Sequence, residues 1–201
     1  MSLMMYKNRI LSADRRMADG PELQHRYSGL EHYSKLYVSK DKELLMGAVG
    51  GIPSVAMYER FKNALSDLYR SQPSVWQETM LKLPEFKEMT KSDPTLYLFF
   101  AGDFLLVHTD KKEGVYLFRQ DLSGVKLGGS GVIAATVLIR SGMTFALERF
   151  YRIVSASTES VSPMFDHVCI DTIKGFSQES VPIVDPIKDS KPVKQRVKKR
   201  S

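Results

Sequence analysis

The apolar runs of this chain come in blocks, with strand-like runs together, helical runs together, and then strands again. Leu3 to Tyr6 and Ile10 to Ala13 predict an opening hairpin around a tight Lys7-Asn8 turn. Lys35 to Val38 and Leu44 to Val49 predict two more strands around Lys40-Asp41-Lys42. Pro53 opens a helical stretch to Arg70, in which Val55, Tyr58, Phe61, Leu65 and Leu68 keep a helical period and Glu59, Arg60 and Lys62 face out. A weaker helical stretch runs from Val75 to about Met89, disturbed by Pro84. Leu96 to Phe100, Phe104 to His108 and Val115 to Arg119 predict strands; Val132 to Arg140 and Phe145 to Ile153 predict helices parted by Gly142; Phe165 to Ile170 predicts a late strand. Alternating β-α units would favour a parallel sheet, whereas blocks of like elements favour an α+β fold built of layered sheets and helices.

What precedes the first strand bears on chemistry. Ser2 follows the start Met. With Met1 removed it would carry both a hydroxyl and a free α-amine, and an α-amine titrates near pH ~8, so a useful fraction is unprotonated at neutral pH. One residue then holds its own nucleophile and its own base. A tight antiparallel hairpin aligns its two ends, which brings Asp14 back beside Ser2.

Charge excludes one class of function. The net charge is +6, but the residues from Lys188 to Ser201 hold seven Lys/Arg and one acid, so the whole excess lies there and the remainder is neutral. A nucleic-acid-binding domain would instead spread basic charge over a folded face. The single cysteine, Cys169, rules out an internal disulfide framework and suggests a reducing cytoplasm. The longest apolar run, around Leu96 to Val107, is broken by Gly102 and Asp103, short of the ~18 residues of a membrane span, and the first residues carry no signal-peptide hydrophobic region. His25, His32, His108 and His167 show no ligand spacing, so no metal is expected. No phosphate-binding glycine motif or other cofactor signature is present either, and the Gly128 to Gly131 turn reads as a helix cap.

Several segments, taken in order, resemble one family. Tyr6-Lys7-Asn8-Arg9-Ile10-Leu11-Ser12-Ala13-Asp14-Arg15-Arg16 resembles the first hairpin of proteasome β-type subunits and their bacterial HslV relatives, and looks nearest to the small proteasome-like proteins of bacteriophages. Ser34-Lys35-Leu36-Tyr37 is similar to that family's Lys-Leu-Phe strand, and Met46-Gly47-Ala48-Val49-Gly50 to its Ala-Gly-Leu-Val-Gly segment. Gly128-Gly129-Ser130-Gly131 is similar to its Gly-Ser-Gly turn, and Phe165-Asp166-His167-Val168 to the strand after its last helix. The resemblance implies a four-layer α-β-β-α sandwich, the N-terminal nucleophile hydrolase fold, assembled into homo-oligomeric rings. It implies Ser2 in place of the usual N-terminal threonine, Asp14 as the acid closing the hairpin, Lys35 as the lysine beside the nucleophile and Gly47 as the oxyanion donor. It also implies Ser130 near the nucleophile's amine, Arg16 bracing the acid, and Glu159 and Ser162 as the family's Asp-x-x-Ser.

Two functions stay open at this point. One is a proteasome-like threonine/serine-type peptidase acting on peptides or unfolded proteins in the cytoplasm. The other is an inactive ring or scaffold that retains Met1, whose presence would block the amine. The chain divides into a domain over residues 1–184 and a basic tail over 185–201, whose mixed charges, Pro186, Pro192 and few apolar residues do not make a core. Such a tail suits a weak electrostatic partner, nucleic acid or an acidic protein surface. The same composition also suits a solvated extension with no partner, or a segment lying along a neighbouring subunit. Truncation after Val184 separates these: loss of low-salt nucleic-acid retention with peptide cleavage kept marks an independent binding element, loss of ring assembly marks a subunit contact, and no change in retention or assembly marks a solvated extension.

Overall fold

The computed structural model describes residues 3–15, 34–50, 53–92, 94–110, 114–142, 146–158 and 161–177. Ser2, Arg16, Glu159 and the basic tail therefore lie outside the described residues.

The opening hairpin pairs β1 (Met4–Lys7) with β2 (Ile10–Asp14), Lys7 opposite Ile10. Its turn is Asn8-Arg9, one residue later than expected, with both residues at positive φ (49° and 63°). Two central residues at positive φ match the twist of a two-residue hairpin. Arg9 is held in this unfavoured conformation by its guanidinium, which donates to Asp171 at 2.6 Å and to the Phe176 carbonyl.

Strands β3 (Leu36–Val38) and β4 (Leu44–Val49) follow. The long helix α1 (Val55–Ser71) starts two residues later than Pro53, because the Ser54 side chain accepts from the Met57 amide and caps the first turn. The weak helical stretch is two short helices, α2 (Trp76–Met80) and α3 (Pro84–Met89), with Pro84 in the first turn of the second, where a missing N–H costs nothing. Strands β5 (Thr95–Phe100), β6 (Asp103–Asp110) and β7 (Gly114–Gln120) form a meander. Strand β8 (Val125–Gly128) had no clear sequence signal. Helices α4 (Val132–Arg140) and α5 (Leu147–Ser157) and strand β9 (Phe165–Cys169) complete the order.

The strands make two antiparallel sheets, β8-β1-β2-β9 and β3-β4-β5-β6-β7. Side-chain alternation sorts the core into three leaves. Leu44, Met46, Ala48, Leu96, Leu98, Leu105 and Val107 pack on α1–α3 through Phe61, Leu65, Trp76 and Phe86. The opposite parity, including Leu45, Tyr97, Phe99 and Phe104, meets Met4, Tyr6, Leu11 and Ala13 between the sheets. Leu3 and Met5 face the other way, onto Phe150, Tyr151 and Val154 of α5. The architecture is the four-layer α-β-β-α sandwich that the order of elements implied. Tyr97, Phe99 and Phe100 are core. Cys169 is half-buried, and its thiol lies 3.5 Å from Asp171 Oδ2.

The two sheets pack tightly against each other at Gly47. A Cβ on Gly47 would fall 2.5 Å from the Met4 sulfur and 3.2 Å from a Leu11 methyl. Gly47→Ala is expected to destabilise the fold by about 1–3 kcal/mol through overpacking. Combining it with Met4→Ala should cost less than the two single changes added, since the new methyl enters the vacated space. Urea unfolding of the four proteins measures that coupling.

Candidate active site

At one end of the sandwich a carboxylate closes the hairpin. Asp14 is the last residue of β2, and its amide donates to the Leu3 carbonyl at 3.0 Å, extending the β1–β2 ladder by one pair. Its side chain then turns back. Asp14 Oδ1 accepts from the Leu3 amide at 2.6 Å, so the carboxylate stands where a strand carbonyl would otherwise serve. The same oxygen accepts from Lys35 Nζ at 2.7 Å, and Oδ2 accepts from the Ser162 amide at 3.1 Å.

Lys35 reaches this point from the other sheet. It directly precedes β3, and its carbonyl accepts from the Ala48 amide at 3.1 Å, which anchors its backbone to β4. Both side chains are withdrawn from solvent, 1% exposed for Lys35 and 0% for Asp14. Two buried charges survive only when paired and hydrogen-bonded, and the two amides on Asp14 supply part of that compensation.

Behind the pair runs a second polar line. Tyr151 of α5 donates to Ser12 Oγ at 3.0 Å, and Ser12 donates to the Met5 carbonyl at 3.2 Å. Burial pushes the Tyr151 hydroxyl well above its ordinary pKa, so it stays a donor, although the Ser12 contact acts the other way. Ser12 points at the helical layer and had no sequence signal beyond being a polar residue inside an apolar strand.

The expected site residues fall in unequal places. Asp14, Lys35 and Ser162 meet directly, Ser162 through its amide; its hydroxyl instead accepts from the Met164 amide. Ser130 is exposed on the turn entering α4. The register that pairs Met4 with Gly128 runs that turn alongside residue 3, and a Cβ on Gly131 would lie 3.1 Å from Leu3 Cβ and 2.6 Å from a Val161 methyl. Ser2 and Glu159 are outside the described residues, as is Arg16. Its neighbour Arg15 pairs with Asp166 of β9, donating through Nε at 2.8 Å.

Gly47 stands in the middle of the ladder. The Ser39 amide donates to the Leu44 carbonyl and the Ala48 amide to Lys35, so the even-numbered residues of β4 turn their backbone groups to β3. Alternation then turns the Gly47 amide the other way, to Tyr97 of β5. Gly50, exposed at the exit of β4, has φ 92°, a conformation glycine adopts without strain.

Among the described residues no group of His, Cys, Asp and Glu is arranged to hold a metal, and no helix is long and apolar enough to cross a membrane. No family model matches the chain, and no curated protein matches it. Among solved structures, the fold is similar to the crystal structure of eukaryotic HslV from Trypanosoma brucei, with a TM-score of 0.50 and 15% identity over 83% of this chain and 97% of that one. At this identity the likeness shows the fold: the chain has a proteasome β-type/HslV-like sandwich.

Lys35→Met should destabilise the protein by about 3–5 kcal/mol, because it strands a buried carboxylate. Adding Asp14→Asn, which keeps an acceptor for the Leu3 amide and removes the charge, should recover most of that loss. Denaturant midpoints of the single and double variants test both statements.

Proposed function

We propose that this chain is a proteasome-like peptidase with an N-terminal serine nucleophile, working in a homo-oligomeric ring on peptides or unfolded proteins. The observation that carries the reading is the convergence of Lys35 Nζ and the Leu3 amide on a single oxygen of Asp14. Ser2 is joined to Leu3 by one peptide bond, so the buried lysine charge sits next to the chain position where a nucleophile would begin. A structural ion pair alone gives no reason to spend a buried lysine there, since an apolar pair of similar volume is often as stable or more so.

In this reading, removal of Met1 frees the Ser2 amine. Ser2 Oγ attacks the scissile carbonyl and its proton passes to that amine. The amine then protonates the leaving nitrogen as the acyl ester forms, and water hydrolyses the ester to release the second product and restore Ser2. Lys35 favours the deprotonated forms of nearby groups through its charge, and Asp14 positions Lys35. Ser162 and Glu159 brace the carboxylate side, and Ser130 serves the amine. Gly47, expected as the oxyanion donor, has its amide directed into the ladder toward β5 and is not assigned that role.

The rest of the assignment rests on the sequence: kinship with bacteriophage proteasome-like proteins on the resemblance, a cytoplasmic setting on the single cysteine, and a domain over residues 1–184 followed by a basic tail that takes nucleic acid or an acidic partner on charge and composition.

Intact mass should show the chain without Met1. Ser2→Ala should abolish hydrolysis of unstructured peptides, and Lys35→Ala should reduce it by about 10²–10⁴-fold. Wild-type turnover in both variants would refute the site. A retained Met1 with no turnover would make the chain a non-catalytic ring protein.

A further inference from the structure

The two sheets differ in width. Among the described residues one has four strands and the other five, and β7 is the outermost described strand of the wider one. Tyr6 of β1 touches Phe99 and Phe104, and Gly128 of β8 lies against Tyr97, so the narrower sheet covers β5 and β6. Strand β7 overhangs it. Val115, Tyr116 and Phe118 are 42%, 39% and 49% exposed, and the Tyr116 and Phe118 rings stack at 6.4 Å along one face. Soluble proteins normally blunt an edge strand with charges, prolines or a bulge. This one has seven residues, an unbroken register with β6, and a single charge, Arg119, already paired with Asp103 at 2.6 Å.

The phase of the open edge follows from the ladder. Even residues of β4 face β3, so odd residues of β5 face β4, odd residues of β6 face β5, and even residues of β7 face β6. The amides and carbonyls of Val115, Leu117 and Arg119 therefore point outward. Those three positions are symmetric about Leu117, and so are the two exposed aromatics.

We infer that β7 is a self-pairing edge: a second copy of this chain docks antiparallel on it, with the two-fold axis at Leu117. In that register Leu117 exchanges both backbone hydrogen bonds with the second copy's Leu117, and Val115 pairs with the second copy's Arg119, for about six new bonds. Tyr116 lies opposite the second copy's Phe118 at the closer, non-hydrogen-bonded spacing, twice over by symmetry, which is a favoured aromatic cross-strand pair. An axis moved to Arg119 would set two like charges opposite each other and lose the aromatic pairs. An axis at Tyr116 or Phe118 keeps only one aromatic pair, against two for the Leu117 axis, so the Leu117 register is the favoured one, and the wider sheets of two copies join into one continuous sheet. This contact is independent of the peptidase assignment.

The test uses the full chain with Cys169→Ser as background. Antiparallel hydrogen-bonded partners have Cα atoms about 5.5 Å apart, within disulfide reach. Leu117→Cys should therefore yield a cross-linked dimer on mild oxidation. Val115→Cys should not, because its symmetry mate is about 13 Å away along the strand. Val115→Pro removes an outward amide without touching the β6 ladder, and should weaken self-association at least about tenfold in sedimentation with an unchanged circular dichroism spectrum. Cross-linking equal at both positions, none at position 117, or association unaffected by Val115→Pro would overturn the inference. So would dimerisation that first appears when residues 178–201 are removed, which would assign the edge to the chain's own tail.

Discussion

A charged pair with almost no access to water ties the two sheets together at one end. Asp14 belongs to one sheet and Lys35 leads into the other, and the contact between them is 2.7 Å. In a low-dielectric setting such a pair gains strong mutual attraction and pays heavily for lost hydration, so its net worth depends on the remaining hydrogen bonds. Here the backbone supplies them. Leu3 and Ser162 offer amides from two further segments, so four parts of the chain must be in place before the carboxylate is satisfied. The pair therefore acts as a check on correct assembly as much as a source of stability.

The close layers explain the glycines better than chemistry does. Gly47, Gly128 and Gly131 each sit where a Cβ would strike a neighbour: Met4, Tyr97 and Val161 in turn. Tyr97 shows the tension in this packing. Its hydroxyl is fully buried, has no partner among the described residues, and lies against the Gly128 backbone. Burial raises its pKa well above the ordinary phenol value, so it remains neutral and the cost is one unpaired polar atom rather than a charge.

The layer order was legible because helical and strand periods differ and because Pro84 and Ser54 mark helix starts. Asp14 and Lys35 were legible too, the first by its place at the end of a hairpin and the second by resemblance. Less could be read where backbone direction decides. Gly47 matched a motif by residue type, but only the ladder phase reveals that its amide faces β5. Strand β8 is four residues long and half-buried along its length, so no alternation marks it. The Ser12–Tyr151 contact joins residues 139 apart in sequence, which local patterns do not encode. Arg9 was read as part of a motif, although its role is to lock the turn and hold residues 171 and 176.

The sheet containing the candidate site is stitched from the two halves of the chain, since β1 and β2 take their outer neighbours β8 and β9 from the second half. The other sheet is made of consecutive strands, which with α1–α3 need only nearby sequence. Contacts between distant segments form late because loop closure must be paid first. During synthesis on the ribosome, the wider sheet and its helices can therefore organise while the opening hairpin still waits for its flanks. The Ser162 amide that completes Asp14 is delivered only 148 residues after it. A buried charged pair built this way stays incomplete while the nascent chain is still being made, so the order of synthesis itself delays the joining of the two sheets at this end until distant segments have arrived.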